Sequence, residues 1–156
     1  LVMEIGVLAL QGDFAAHQHC LEIRKIPVRQ VRDVKDLEGL DGLVLPGGES
    51  IVMSRLLLRF GLFEPLKQKI QSGLPLFATC AGLILLSKTC MPTIPQTFEL
   101  LPIHVKRNGY GSQVDSTYCQ VEIPQISKTP IDIHFIRAPI VETWENTIHI
   151  LGMWKN

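Results

Sequence analysis

Pro75-Leu-Phe-Ala-Thr-Cys-Ala-Gly-Leu-Ile-Leu-Leu-Ser87 decides how this chain is read. An apolar run stops at Cys80, and small residues and a second apolar run follow. The pattern predicts a buried strand over Leu74–Thr79, a tight turn and a helix, with the thiol at the bend. A cysteine in that place stands clear of the backbone at a helix start, where the helix dipole favours the thiolate. Such a turn serves a nucleophile of acyl-transfer or hydrolytic chemistry. The alternative is a structural cysteine packed as a small hydrophobe.

The segments upstream repeat the same grammar. Ile5-Gly-Val-Leu-Ala-Leu10 has the continuous apolar character of a strand buried on both faces. Gln11-Gly12-Asp13 breaks it, and Asp13 is placed to cap a helix running to about Arg24. Pro27–Val31 reads as a second strand, and Val34–Leu40 as a short helical or turn segment. Leu43–Leu45 reads as a third strand, stopped by Pro46-Gly47-Gly48. Ser50 is placed to cap the next helix, whose apolar face is expected to hold Ile51, Val52, Leu56, Leu57 and Phe60. Gly61 ends it, and a further helix covers about Pro65–Gln71. Strand and helix alternate throughout, which predicts an α/β fold with a parallel sheet and helices on both faces. Sites in such sheets lie at the carboxyl ends of strands. Gln11, Gly47–Ser50 and Cys80 all fall there.

The second half is less regular. Lys88–Thr97 holds two prolines and no periodicity, and reads as a surface loop. Ile103–Lys106, Tyr118–Ile123, Ile133–Ile136 and Ile148–Leu151 read as shorter strands.

Composition narrows the function. With 156 residues, 46% hydrophobic and 19% charged, the chain fits one globular domain with a proper core. Lys+Arg and Asp+Glu balance at 15 each, so no basic field points to nucleic acid or an anionic membrane. No apolar stretch is long enough to span a bilayer, and Ile5–Leu10 is too short for a signal peptide. Cys20, Cys80, Cys90 and Cys119 form no C-x-x-C pair and have no histidine at zinc spacing. That predicts no metal, and reduced thiols in a cytoplasmic protein.

Around a cysteine nucleophile, the backbone N–H groups of Gly47 and Gly48 could form an oxyanion hole. The competing reading is an ordinary strand-to-helix turn. Arg107 and Arg137 each end a predicted strand, where a guanidinium could grip a carboxylate, or simply sit in solvent. His17, His19, His104, His134 and His149 each read as structural rather than catalytic, and none is followed two residues later by Asp or Glu.

Five segments in matching order carry a resemblance: Ile5–Gly12, Gly42–Ser50, Thr79–Lys88, Val105–Asn108 and Phe135–Pro139. Together they resemble the glutaminase subunits of pyridoxal 5′-phosphate synthase, within the class I (triad) glutamine amidotransferases. The likeness runs from about Glu4 to Pro139. It implies a three-layer, doubly wound, mostly parallel flavodoxin-like sheet. It also implies hydrolysis of L-glutamine to glutamate and ammonia, with no cofactor. Ammonia would pass to a (β/α)8-barrel synthase partner in vitamin B6 biosynthesis. By position, Cys80 would form the glutamyl thioester. Gly47, Gly48 and the N–H of Ala81 would supply the oxyanion region. Gly48, Glu49, Ser50, Arg107, Ile136 and Arg137 would hold the glutamine, and Gln11 would lie near the partner interface.

The chain departs from the family in three places. Ala78 stands where the family's elbow has Gly, Ile51 where it has Thr, and Thr89–Thr97 follows a different pattern. The family also closes its triad with His-Pro-Glu on a late strand before a C-terminal helix, and no His-Pro-Glu occurs here. The expectation is therefore a single domain over residues 1–156 that lacks the family's last strands and helix. A catalytically incomplete protein that only binds partners is the alternative.

Overall fold

The structure is a computed structural model that describes residues 3–111 and 117–154. The alternation of apolar strand and amphipathic helix gives β1 (Ile5–Leu8), α1 (Phe14–Glu22), β2 (Val28–Val31), a 3-10 turn (Val34–Leu37), β3 (Gly42–Leu45), α2 (Ser50–Arg59), α3 (Phe63–Gln71), β4 (Leu76–Ala78) and α4 (Ala81–Leu86). The four strands form one parallel sheet in the order β2-β1-β3-β4. Every connection crosses through helix or turn, as parallel pairing requires. This is the doubly wound α/β arrangement that the sequence predicts.

Alternation along the strands divides the interior. Leu8, Val31, Leu43 and Leu45 point to one face, where they pack with Met53 and Leu57 of α2, Phe63 and Leu66 of α3, and Leu85 of α4. Phe63 and Phe98 stack at 4.4 Å within this core. Val7 and Val44 are buried towards the other face, where α1 lies against β1 and β2.

Several local expectations are corrected. Asp13 and Ser50 precede or open their helices, but neither side chain makes a capping hydrogen bond; Glu49 is the residue before α2. The buried stripe of α2 is Ser50, Met53, Ser54 and Leu57, while Val52 and Phe60 face solvent. Ser54 can enter the core because its hydroxyl donates to the Gln96 carbonyl at 2.8 Å and accepts from the Gln96 N–H at 3.0 Å. The strand before Cys80 is not buried on both faces. It is the end strand of the described sheet, and Phe77 is 60% exposed.

Lys88–Thr97 is not all loop. The six-residue α4 runs straight into β5 (Ser87–Met91), which pairs in parallel with β6 (Leu101–Lys106). β6 pairs antiparallel with β9 (Ile140–Trp144), a strand absent from the sequence reading. β7 (Thr117–Val121) and β8 (Ile131–Phe135) form an antiparallel ribbon. Ile148–Leu151 forms no strand: the Ile148 N–H closes a turn on Glu145, and its side chain packs beside Ile84, Cys90, Ile103 and Val105. That second cluster joins α4 to the β5-β6-β9 sheet, so the helix behind Cys80 contributes to both cores.

Candidate active site

Cys80 adopts φ +45°, ψ −103°, a conformation that side chains other than glycine rarely take. Such strain persists only where surrounding structure holds it, and it collects at functional turns. Here the Thr79 N–H donates to Leu45 O at 3.1 Å, the Gly82 N–H to Thr79 O at 2.8 Å, and the Ile84 N–H to Cys80 O at 3.1 Å. Gly82 makes the turn possible. A Cβ there would sit 2.3 Å from the Leu45 carbonyl oxygen, so only glycine lets α4 approach β3 this closely.

The Gly47-Gly48 turn closes over the thiol. A Cβ on Gly47 would touch that of Cys80 at 3.4 Å, and Gly48 has φ +156°. The Gly47 carbonyl is held by the Asp13 N–H at 3.0 Å. Gln11 Oε1 accepts from the Glu49 N–H at 2.9 Å, so the loop after β1 braces the turn after β3. These contacts explain why Gln11, Gly47–Ser50 and Cys80 converge on one sheet edge.

Arg107 and Arg137 arrive from the second half. The Gly109 N–H donates to Ala138 O at 2.9 Å and ties the two arginine-bearing loops together. Arg107 is 10% exposed and lies 3.6 Å from Glu49 Oε1, while its Nη1 reaches Pro92 O at 3.4 Å. A cavity of about 360 Å³ results, lined by Gln11, Gly48, Glu49, Ser50, Cys80, Ile84, Arg107, Asn108, Ile136 and Arg137. Nearly every site residue expected from the sequence therefore meets here. Gly47 and Ala81 stand just behind the lining, beside Cys80. Gln11 lies in the wall of the cavity. Ile84 and Asn108 also line it; they fall inside the resembling segments Thr79–Lys88 and Val105–Asn108, which assign neither a role of its own.

The electrostatics correct one expectation. Burial pushes Cys80 up from the ordinary thiol value, opposite to the direction expected of a helix start. Hydrogen bonds from the Ala81 and Gly48 N–H groups and the charge of Arg137 oppose that rise, and Glu49 adds to it. None of the five histidines lines the cavity.

All four cysteines are free thiols, Cys20 exposed and Cys90 and Cys119 buried. Among the described residues, no three metal-binding side chains gather in one place, and no helix is long and apolar enough to cross a membrane.

A parallel α/β sheet with a strained cysteine at a strand-to-helix turn, set against a glycine turn and two arginines in one cavity, is the arrangement of the glutamine amidotransferase class of cysteine enzymes. The chain belongs to the SNO glutamine amidotransferase family, which it matches over residues 7–153, well past Pro139. It is 42% identical over 154 residues to pyridoxal 5′-phosphate synthase subunit PdxT of Kosmotoga olearia, covering 98% of this chain and 80% of that protein. To the PdxT subunit of Thermosipho africanus it is 43% identical over 154 residues, covering 99% and 81%. A crystal structure of a glutamine amidotransferase superposes with a TM-score of 0.88 at 35% identity, over 96% of this chain and 79% of that one. A solved structure from Thermoplasma acidophilum, with a TM-score of 0.65 at 16% identity over 97% and 73% of the two chains, shares the fold.

Proposed function

We propose that this chain is the glutaminase subunit of a pyridoxal 5′-phosphate synthase. The Cys80 sulfur attacks the side-chain carboxamide carbon of L-glutamine; the C–N bond breaks and ammonia leaves, taking the thiol proton. Water then cleaves the glutamyl thioester, releasing glutamate and restoring the thiol. The N–H groups of Gly48 and Ala81 stabilise the tetrahedral oxyanion, with Gly47 shaping the turn. Arg107 and Arg137 take the substrate carboxylate, Glu49 its ammonium, and Ser50 and Ile136 complete the binding wall. Ammonia passes to a (β/α)8-barrel synthase subunit, because in water it would be lost to protonation. Gln11 stands next to the face that receives this partner.

The single observation that carries the reading is the convergence on Cys80: a strained elbow, N–H donors from Ala81 and Gly48, and opposite charges in one cavity. The PdxT names of its relatives support the choice of substrate and pathway. A second reading, binding without turnover, draws on the raised thiol and the absence of a histidine from the cavity. Glutamate release from glutamine, with the synthase subunit present, separates them. Release well above a Cys80→Ala control supports the glutaminase; release no higher than that control leaves the binding role.

A further inference from the structure

Helix α1 grips the nucleophile turn at two points. At its start, the Asp13 N–H holds Gly47 O at 3.0 Å. One turn on, His17 Nε2 shares a 3.3 Å hydrogen bond with Thr79 Oγ1, across 62 residues of sequence. The imidazole also stands edge-on to Phe77, with centroids 6.2 Å apart. Thr79 Oγ1 lies 3.7 Å from where a Gly47 Cβ would sit, so this hydroxyl fills the joint between the two halves of the thiol's surroundings. His17 does not line the cavity and touches no reacting atom.

We propose that His17 is a positioning residue for Cys80, acting through Thr79 to lock the elbow against the Gly47-Gly48 turn. The physical reason is the strain at Cys80. A residue at φ +45° relaxes unless its neighbours restrain it, and relaxation carries the sulfur away from the Gly48 and Ala81 N–H groups. The His17–Thr79 bond restrains the residue immediately before Cys80. The inference rests on Cys80 being the reactive thiol, and its test requires no glutamine.

The test is the pH midpoint of Cys80 alkylation by iodoacetamide, read by peptide mass spectrometry on the whole chain. His17→Leu and Thr79→Val should each raise the midpoint by roughly 0.5–1 pH unit, a three- to tenfold slowing below it, which is the scale of one hydrogen bond. The double variant should be no slower than either single one, because both remove the same link. His17→Gln and Thr79→Ser, which keep a polar partner, should recover most of the rate. Where glutamine is turned over, kcat should fall with KM little changed. An unshifted midpoint in His17→Leu and Thr79→Val, or additive effects in the double variant, overturns the proposal. Alkylation of the buried Cys90 and Cys119 would report lost folding in a variant; the milder Thr79→Val against Thr79→Ser comparison then decides. If alkylation responds as expected while glutamine stays inert, the substrate reading alone fails.

Discussion

Gly82→Ala is the substitution whose sign most sharply probes the elbow. In an open helix, alanine in place of glycine stabilises by about 1 kcal/mol. At Gly82 the new methyl would instead meet the Leu45 carbonyl oxygen at 2.3 Å and Leu45 Cβ at 2.8 Å, where ordinary contact is 3.4–4 Å. Backbone cannot swing aside as a flexible side chain can, so α4 must move by roughly 1 Å. Overpacking of this kind costs about 1–3 kcal/mol and exceeds the propensity gain where the clash is with backbone. The melting temperature should fall by several degrees, since 1 kcal/mol corresponds to about 2–4 °C in a domain of this size. The displaced helix takes Cys80 with it, and a 1 Å misplacement can lower turnover by about 10²-fold. Thermal unfolding and glutamate release measure the two effects. A raised melting temperature with unchanged release would refute the close approach of α4 to β3 as the basis of the elbow.

The charges around the thiol give further predictions. Arg107→Ala removes a guanidinium that is mostly buried in the cavity wall, and should raise KM for glutamine by about tenfold or more, with a smaller change in kcat. The alkylation midpoint of Cys80 should lie above the ordinary thiol range, because burial raises it. Arg137→Ala should move that midpoint higher still, since a positive charge that favours the thiolate is lost; Glu49→Gln should move it lower, since a negative charge that opposes it is lost. Rate-against-pH curves for the two variants, on either side of wild type, check both signs.

The parallel sheet was legible because β1 and β3 are apolar at nearly every position, which only burial on both faces explains. The site was legible for a related reason: its turns sit at strand ends, where glycine, serine and cysteine interrupt apolar runs. What escaped depends on partners distant in sequence. In α2, Ile51, Val52, Met53, Leu56, Leu57 and Leu58 surround the helix, so periodicity could not choose a face. The face chosen includes Ser54, whose partner Gln96 lies 42 residues away. β5 and β9 carry mixed sequences such as Ser-Lys-Thr and Glu-Thr-Trp, with exposed positions Lys88, Thr89, Glu142 and Thr143, and become strands by pairing with the more apolar β6. Ile148–Leu151 has the composition of a strand, yet its Ile148 N–H closes a turn on Glu145 and pairs with no strand. The departure at Ala78 is mild: its side chain packs against the main core beside Leu76. A helix start that favours the thiolate is visible in sequence, whereas the desolvation that raises the Cys80 thiol appears only once the residue is enclosed.

The central claim is that Cys80 is the thiol that attacks glutamine. Peptide mass spectrometry after treatment with a glutamine-analogue electrophile tests it most directly, with exposed Cys20 as an internal comparison. The account predicts a covalent adduct on Cys80, formed more slowly when glutamine is added, and little adduct on Cys20. An adduct favouring Cys20, or a Cys80 adduct formed at the same rate with and without glutamine, would contradict it.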